Sequence, residues 1–158
     1  MFYQVRANII YFTNEKVCEK KNENNNMSKI ESKNAPEPIG SYPHARKVGN
    51  LLFLSGVGPR ERGKKDIPGV TLNENGQIIS YNIETQCYSV FKNVRTILED
   101  AGSSWEKLID VTVFLTNMKN DFETYNLIYA KYFKKNLPCR TTVEVQSLPT
   151  PIAIELKC

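Results

Sequence analysis

Two stretches of the chain repeat apolar residues at helical spacing, and several shorter ones alternate them with polar residues. Ile83, Cys87, Val90, Phe91, Val94, Ile97, Leu98 and Ala101 follow the i, i+4, i+7, i+8 stripe of an amphipathic helix. Asn82 suits its N-cap, and Gly102 suits the left-handed position that ends it. A second helix is predicted from about Asp121 to Lys135, with Phe122, Tyr125, Tyr129, Tyr132 and Phe133 on one face. Asn126 lies within it and is open to a capping, packing or pocket role. Between the helices Ile109, Val111, Val113 and Leu115 alternate with Asp110, Thr112 and Phe114, the signature of a strand. Upstream, His44–Val48 and Leu51–Ser55 are split by Gly49-Asn50, a hairpin signal. Near the C-terminal end Thr141–Gln146 and Ile152–Lys157 read as two short strands joined by Ser-Leu-Pro-Thr-Pro.

The resulting order is β-hairpin, loop, α, β, α, β, β, which predicts an α+β layer fold with two helices on one face of a sheet. The other face still carries apolar strand residues, and a homo-oligomer is the simplest way to bury them. Gly56–Ser80, rich in glycine and proline, reads as one long connection of the kind that often carries function. Residues 1–34 differ in character from the rest of the chain. A short apolar run, Ile9-Ile10-Tyr11-Phe12, precedes a charged, asparagine-rich stretch, so this part reads as a disordered or weakly held extension to a single domain over 35–158. Organelle targeting by residues 1–26 is the minority alternative, since a basic flank and a small-residue cleavage pattern are poor. Met27 is a second candidate start.

Composition narrows the function classes. The chain has 158 residues, 41% hydrophobic and 24% charged, with a net charge of +4, an ordinary globular balance that suggests no dedicated polyanion binder. No stretch approaches the roughly 20 apolar residues of a membrane span. Four scattered cysteines form no C-x-x-C pair, which points to reduced thiols and a cytoplasmic setting. A single histidine, His44, leaves no His-rich zinc site and no Ser-His or Cys-His triad unless it serves itself.

The candidate chemistry sits in the last two strands. Arg140 stands at the mouth of the first, after a Pro-Cys lead-in, and Glu155 lies among apolar residues of the second. If the strands share a sheet, a permanent cation and a carboxylate could approach one pocket. An arginine fork suits a substrate carboxylate, and a glutamate in a partly dry site can orient a water. An edge arginine and a solvent-facing glutamate remain the plainer reading of that spacing. Tyr42 and Ser55 bracket the hairpin as pocket hydroxyls or as ordinary edge residues. Arg60, Arg62, Lys64 and Lys65 could meet phosphate or carboxylate, or remain solvated loop charge.

Several separated motifs together resemble the reactive-intermediate deaminase family, also called Rid, YjgF or endoribonuclease L-PSP. They are Ala35-Pro-x-x-Ile-Gly-x-Tyr42, Gly49-Asn-x-x-x-x-Ser55-Gly56, Asn120-Asp-Phe-x-x-Tyr-Asn126, and Pro138-x-Arg140-x-x-Val143-x-Val145-x-x-Leu148-Pro149 with Ile154-Glu155. Tyr42-Pro-His-Ala45, the Arg60-Glu-Arg62 loop and Arg140-Thr-Thr-Val143 look most like the 2-aminomuconate deaminase branch. The resemblance implies a chorismate-mutase-like mixed sheet, a homotrimer with an inner β-barrel, and sites in clefts between subunits. It also implies hydrolysis of a carboxylate-bearing enamine or imine to a keto acid and ammonia, with no metal and no cofactor. Arg140 matches the carboxylate-binding arginine and Glu155 the water-orienting glutamate. Tyr42, Ser55, Gly56, Asn126 and Thr142 match the ligand cleft or its support, and Arg62 (or Arg60) is a candidate for a second carboxylate. The family often has cysteine where this chain has Thr142, so a backbone contact survives there and a thiol role does not. The family's older name implies RNA cleavage or translation inhibition instead, and a non-catalytic ligand-binding or chaperone trimer is a third reading.

Overall fold

The computed structural model describes residues 27–158. In chain order the elements are β1 (Met27–Ile30), β2 (Ala45–Val48), β3 (Leu51–Leu54), β4 (Val70–Leu72), β5 (Ile78–Tyr81), α1 (Ile83–Asp100), β6 (Asp110–Leu115), α2 (Met118–Tyr132), β7 (Cys139–Glu144) and β8 (Ile154–Lys157). Strands β1, β2 and β3 form an antiparallel set. In a second set β6 lies in the middle, parallel to β7 and antiparallel to β8. The two sets are joined where Val57 and Leu156 exchange backbone hydrogen bonds of 2.8 and 3.0 Å, and where the Leu54 N–H donates to the Cys158 carbonyl. The strand order is therefore β1-β2-β3-β8-β6-β7, a mixed sheet with β7 at its edge.

Both helices pack on one face of this sheet, as the apolar stripes require. Asn82 caps α1 by accepting the Thr85 N–H at 2.8 Å, and Gly102 closes it at φ 73°. Val90, Phe91, Val94 and Leu98 from α1 meet Val111, Val113, Leu115, Ile154 and Leu156 from the sheet in one buried core. Each such side chain contributes roughly 1.5–3 kcal/mol by leaving water. The opposite sheet face keeps Met27, Val48, Leu51 and Phe53 exposed, so the expected uncovered apolar surface is present.

Two strand ends shift by two residues: β7 runs Cys139–Glu144 in place of Thr141–Gln146, which puts Arg140 inside the strand, and β8 starts at Ile154 in place of Ile152. Apart from these shifts, the structure departs from the sequence reading in four places. First, residues 1–26 lie outside the described residues, yet Met27–Ile30 is already a strand in register with Val48–Ala45. Ser32 and Ala35 are buried, so the domain begins before the expected boundary at residue 35. Backbone pairing orders this polar stretch where its composition could not. Second, the 56–80 connection contains the β4–β5 hairpin. Its turn is Asn75-Gly76, with Gly76 at φ 75° and the Asn73 side chain accepting the Asn75 and Gln77 N–H groups. Third, α2 begins at Met118, because Asn117, two residues past the end of β6, accepts the Asn120 N–H. Fourth, Ile109 precedes the strand and is 68% exposed, outside the apolar stripe it was expected to extend.

Candidate active site

The two strands expected to carry the chemistry do share a sheet, but β6 runs between them. Its register decides where their side chains point. Arg140 stands opposite Val111, whereas Glu155 stands opposite Phe114. Side chains alternate along a strand, and laterally paired residues share a face. Val111 is fully buried beneath the helices, so Arg140 lies on the helix side and Glu155 on the open side. The single pocket expected from shared strands is thus replaced, within one subunit, by two half-sites.

The first half-site is built where edge strand β7 meets α2. Arg140 donates from Nη1 to the Asn126 Oδ1 at 2.8 Å. Its guanidinium carbon lies 4.6 Å from the Tyr129 ring centroid, 5.8 Å from that of Tyr125 and 5.9 Å from that of Phe122. These four partners occur at i, i+3, i+4 and i+7 along α2, one helical face. All are uncharged, and among the described residues Arg140 forms no salt bridge. Arg140 is exposed, so most of its fork remains open to an anion. The lead-in to β7 is fixed by Asn136, whose amide donates to the Trp105 and Leu108 carbonyls at 3.0 and 3.3 Å. Leu137 then turns the chain through a left-handed φ of 41°. Thr142 points to the same side as Arg140, opposite Val113, and its buried hydroxyl has no hydrogen-bond partner.

The second half-site is a cleft of about 380 Å³ bordered by Ile39, Tyr42, Ser55, Gly56, Arg60 and Glu155. Burial holds the Glu155 carboxyl above the usual carboxylate range, because the ionised form loses hydration there. Gly56 makes this placement possible. A Cβ at that position would lie 2.8 Å from the Glu155 carboxyl carbon, too close for any side chain unless the glutamate moved. Ser55 donates its hydroxyl to the Pro43 carbonyl at 2.6 Å and so closes the base of the hairpin. Tyr42 is 43% exposed at the rim.

The basic loop behaves differently from a free charge cluster. Arg62 donates to the Ala35 carbonyl at 2.9 Å and to the Glu37 carboxylate at 3.1 Å, which pins the proline-rich segment, and Arg62 itself does not border the Glu155 cleft. Lys64 pairs with Glu61. Arg60, rather than Arg62, borders the cleft, with Nη2 donating to the Glu37 carbonyl at 2.7 Å. His44 is buried and fully used: the Ser32 N–H donates to its Nδ1 at 3.1 Å, and Nε2 meets the Pro36 carbonyl at 3.0 Å. That places the ring proton on Nε2 and leaves no nitrogen free for a triad. Among the described residues no group of three metal-ligating side chains forms, and no helix is long and apolar enough to cross a membrane.

Sequence reasoning thus named Arg140, Asn126 and Thr142 on one side and Tyr42, Ser55, Gly56 and Glu155 on the other. It did not separate the two groups. It placed Phe122, Tyr125 and Tyr129 on one face of α2 but did not connect that face with Arg140.

Comparison with known proteins places these features in context. A match to the family described as Endoribonuclease L-PSP spans residues 32–158. The chain is 40% identical over 128 residues to RutC family protein PH0854 of Pyrococcus horikoshii, covering 81% of this chain and 92% of that protein. It is 36% identical over 129 residues to the chloroplastic Reactive Intermediate Deaminase A of Arabidopsis thaliana, covering 82% and 63% respectively. Among solved structures, E. coli TdcF with bound serine superposes with a TM-score of 0.70 at 30% identity, covering 82% of this chain and 94% of that one.

Proposed function

The chain belongs to the Rid/YjgF, or endoribonuclease L-PSP, family, and on that premise we propose that it hydrolyses carboxylate-bearing enamines and imines to keto acids and ammonia. The observation that carries this reading is the Arg140 cradle: a permanent cation held at a sheet edge by uncharged partners, with its charge left for a ligand. Substrates of the 2-iminopropanoate and 2-iminobutanoate type dock their carboxylate there. Water adds its oxygen to the carbon of the protonated imine while Glu155 takes one of the water protons, so the nitrogen becomes a neutral amine. Glu155 returns that proton to the amine of the resulting carbinolamine, the C–N bond breaks and ammonia leaves, while the carbinolamine hydroxyl proton passes to Glu155 and on to solvent as the carbonyl forms. Arg140 lowers the barrier by holding the substrate and polarising it.

Because Arg140 and Glu155 face opposite sides of one sheet, a complete site takes Arg140 from one subunit and the Tyr42–Ser55–Gly56–Glu155 cleft from another. The exposed apolar residues Val48, Leu51 and Phe53 on the open face support such an assembly, a homotrimer with its sheets inward. Serine, the molecule bound to TdcF, also carries a carboxylate. A dicarboxylate such as 2-aminomuconate would place its second carboxylate at Arg60, the cation bordering the cleft. RNA cleavage is disfavoured, since Arg62 and Lys64 of the basic loop already bind groups of this chain.

The test is ammonia release from freshly generated 2-iminobutanoate. Wild type accelerates it. Arg140→Ala loses on the order of 100-fold or more in kcat/KM and keeps the oligomer. Wild type that is folded and assembled yet gives no acceleration would overturn the reading.

A further inference from the structure

Along the face of the second helix that meets Arg140 runs a row of rings whose role in the reaction is unassigned. We propose that Tyr129 is a positioning residue for Arg140, acting through its ring face and not its hydroxyl, so that the guanidinium meets a substrate carboxylate in one fixed orientation. This rests on the carboxylate-docking role given to Arg140 above.

A long exposed arginine populates many rotamers, and one hydrogen bond to Asn126 leaves rotation about that contact free. Tyr129 supplies the second constraint. Its ring is the closest of the three aromatic partners, at 4.6 Å from the guanidinium carbon against 5.8 and 5.9 Å for Tyr125 and Phe122. That distance suits attraction between a cation and a ring face. The ring is itself immobile. It is 8% exposed and stacks on Phe133 at 4.1 Å and 25°. Phe133 in turn lies 4.5 Å from Trp105 and 5.7 Å from Phe91 of α1. The orientation of Arg140 is thus referred, ring by ring, to the rigid core beneath both helices. An amide and a π face together fix the plane of the guanidinium, yet neither neutralises it as a carboxylate would.

The hydroxyl is not the working part. Among the described residues the Tyr129 oxygen is buried and makes no hydrogen bond, so its removal breaks no contact. The ring face therefore predicts a sharp difference between two substitutions.

The experiment measures binding of 2-oxobutanoate by calorimetry, together with KM and kcat for 2-iminobutanoate, in wild type, Tyr129→Phe and Tyr129→Leu. Tyr129→Phe stays within about twofold of wild type in Kd and KM. Tyr129→Leu weakens 2-oxobutanoate binding and raises KM by about 2- to 30-fold, while kcat falls by less. Thermal melting of each variant separates this from loss of fold, and Tyr129→Met, unbranched and without a ring, repeats the measurement if the leucine variant does not fold. Equal binding by Tyr129→Leu and wild type overturns the proposal, as does a Tyr129→Phe as weak as Tyr129→Leu. If wild type binds 2-oxobutanoate but turns over no imine, the deaminase reading fails while the Kd comparison still decides Tyr129. If wild type does neither, both fail.

Discussion

The edge of β7 and the cleft beside β8 hold opposite charges by opposite means. At the edge, Arg140 is surrounded by rings and one amide, so its charge is oriented without being neutralised. In the cleft, Glu155 is half-buried and among the described residues forms no salt bridge, and desolvation raises the energy of its ionised form. One charge stays near water; the other is partly withdrawn from it, which favours the protonated carboxyl. Opposite faces of one sheet thus keep a cation and a carboxylate apart, so that they do not neutralise each other as an internal salt bridge.

The largest expected break in this arrangement is Glu155→Gln. Loss of a positioned general base lowers kcat by about 100-fold, with 2-oxobutanoate binding changed far less. In wild type the acid limb of kcat/KM falls as Glu155 gains its proton, above the usual glutamate range because burial raises its pKa. That limb is absent in the variant. The stability effect has a definite sign. A raised folded pKa makes a contribution that is present at low pH and lost as pH rises through the folded value. Glu155→Gln is therefore more stable than wild type at pH 7, and the advantage shrinks toward pH 4 in paired melting curves.

Mixing is the next test, and it addresses the separation itself. Arg140→Ala and Glu155→Gln subunits, unfolded and reassembled together, regain activity in roughly a quarter of the sites by random assembly of a symmetric oligomer. Sites formed inside one subunit would regain none. Mixed assemblies as inactive as either parent would sink the shared-site arrangement.

A smaller effect is expected at Gly56. Gly56→Ala drives a methyl group into the Glu155 side chain, with a stability loss of about 1–3 kcal/mol typical of overpacking and a reduced kcat. Unchanged melting and turnover would show that Glu155 moves aside freely, and that the cleft does not hold it in place.

Much of this could be read along the chain. The helical stripe of α1, its asparagine cap and its glycine stop are local properties, set by 3.6-residue periodicity and by φ preferences. The hairpin at Gly49-Asn50 and the α+β class follow from the same kind of short-range information. Arg140, Glu155, Tyr42, Ser55 and Asn126 were visible as candidates from their residue types and places along the chain, while Gly56 and Thr142 entered only through the family resemblance. The β4–β5 hairpin was missed although Asn75-Gly76 announces it, since the flanking runs are short and largely exposed.

What the chain order could not supply was the position of β6. Its insertion between β7 and β8 is a long-range pairing, and its register places Arg140 opposite Val111 and Glu155 opposite Phe114. A shift of one residue in either ladder would reverse a face, because strand side chains alternate with a period of two. The sequence therefore determined which residues could do chemistry. Only the tertiary structure decided that one subunit presents them on two opposite faces, and that Arg62 serves the fold while Arg60 borders the cleft.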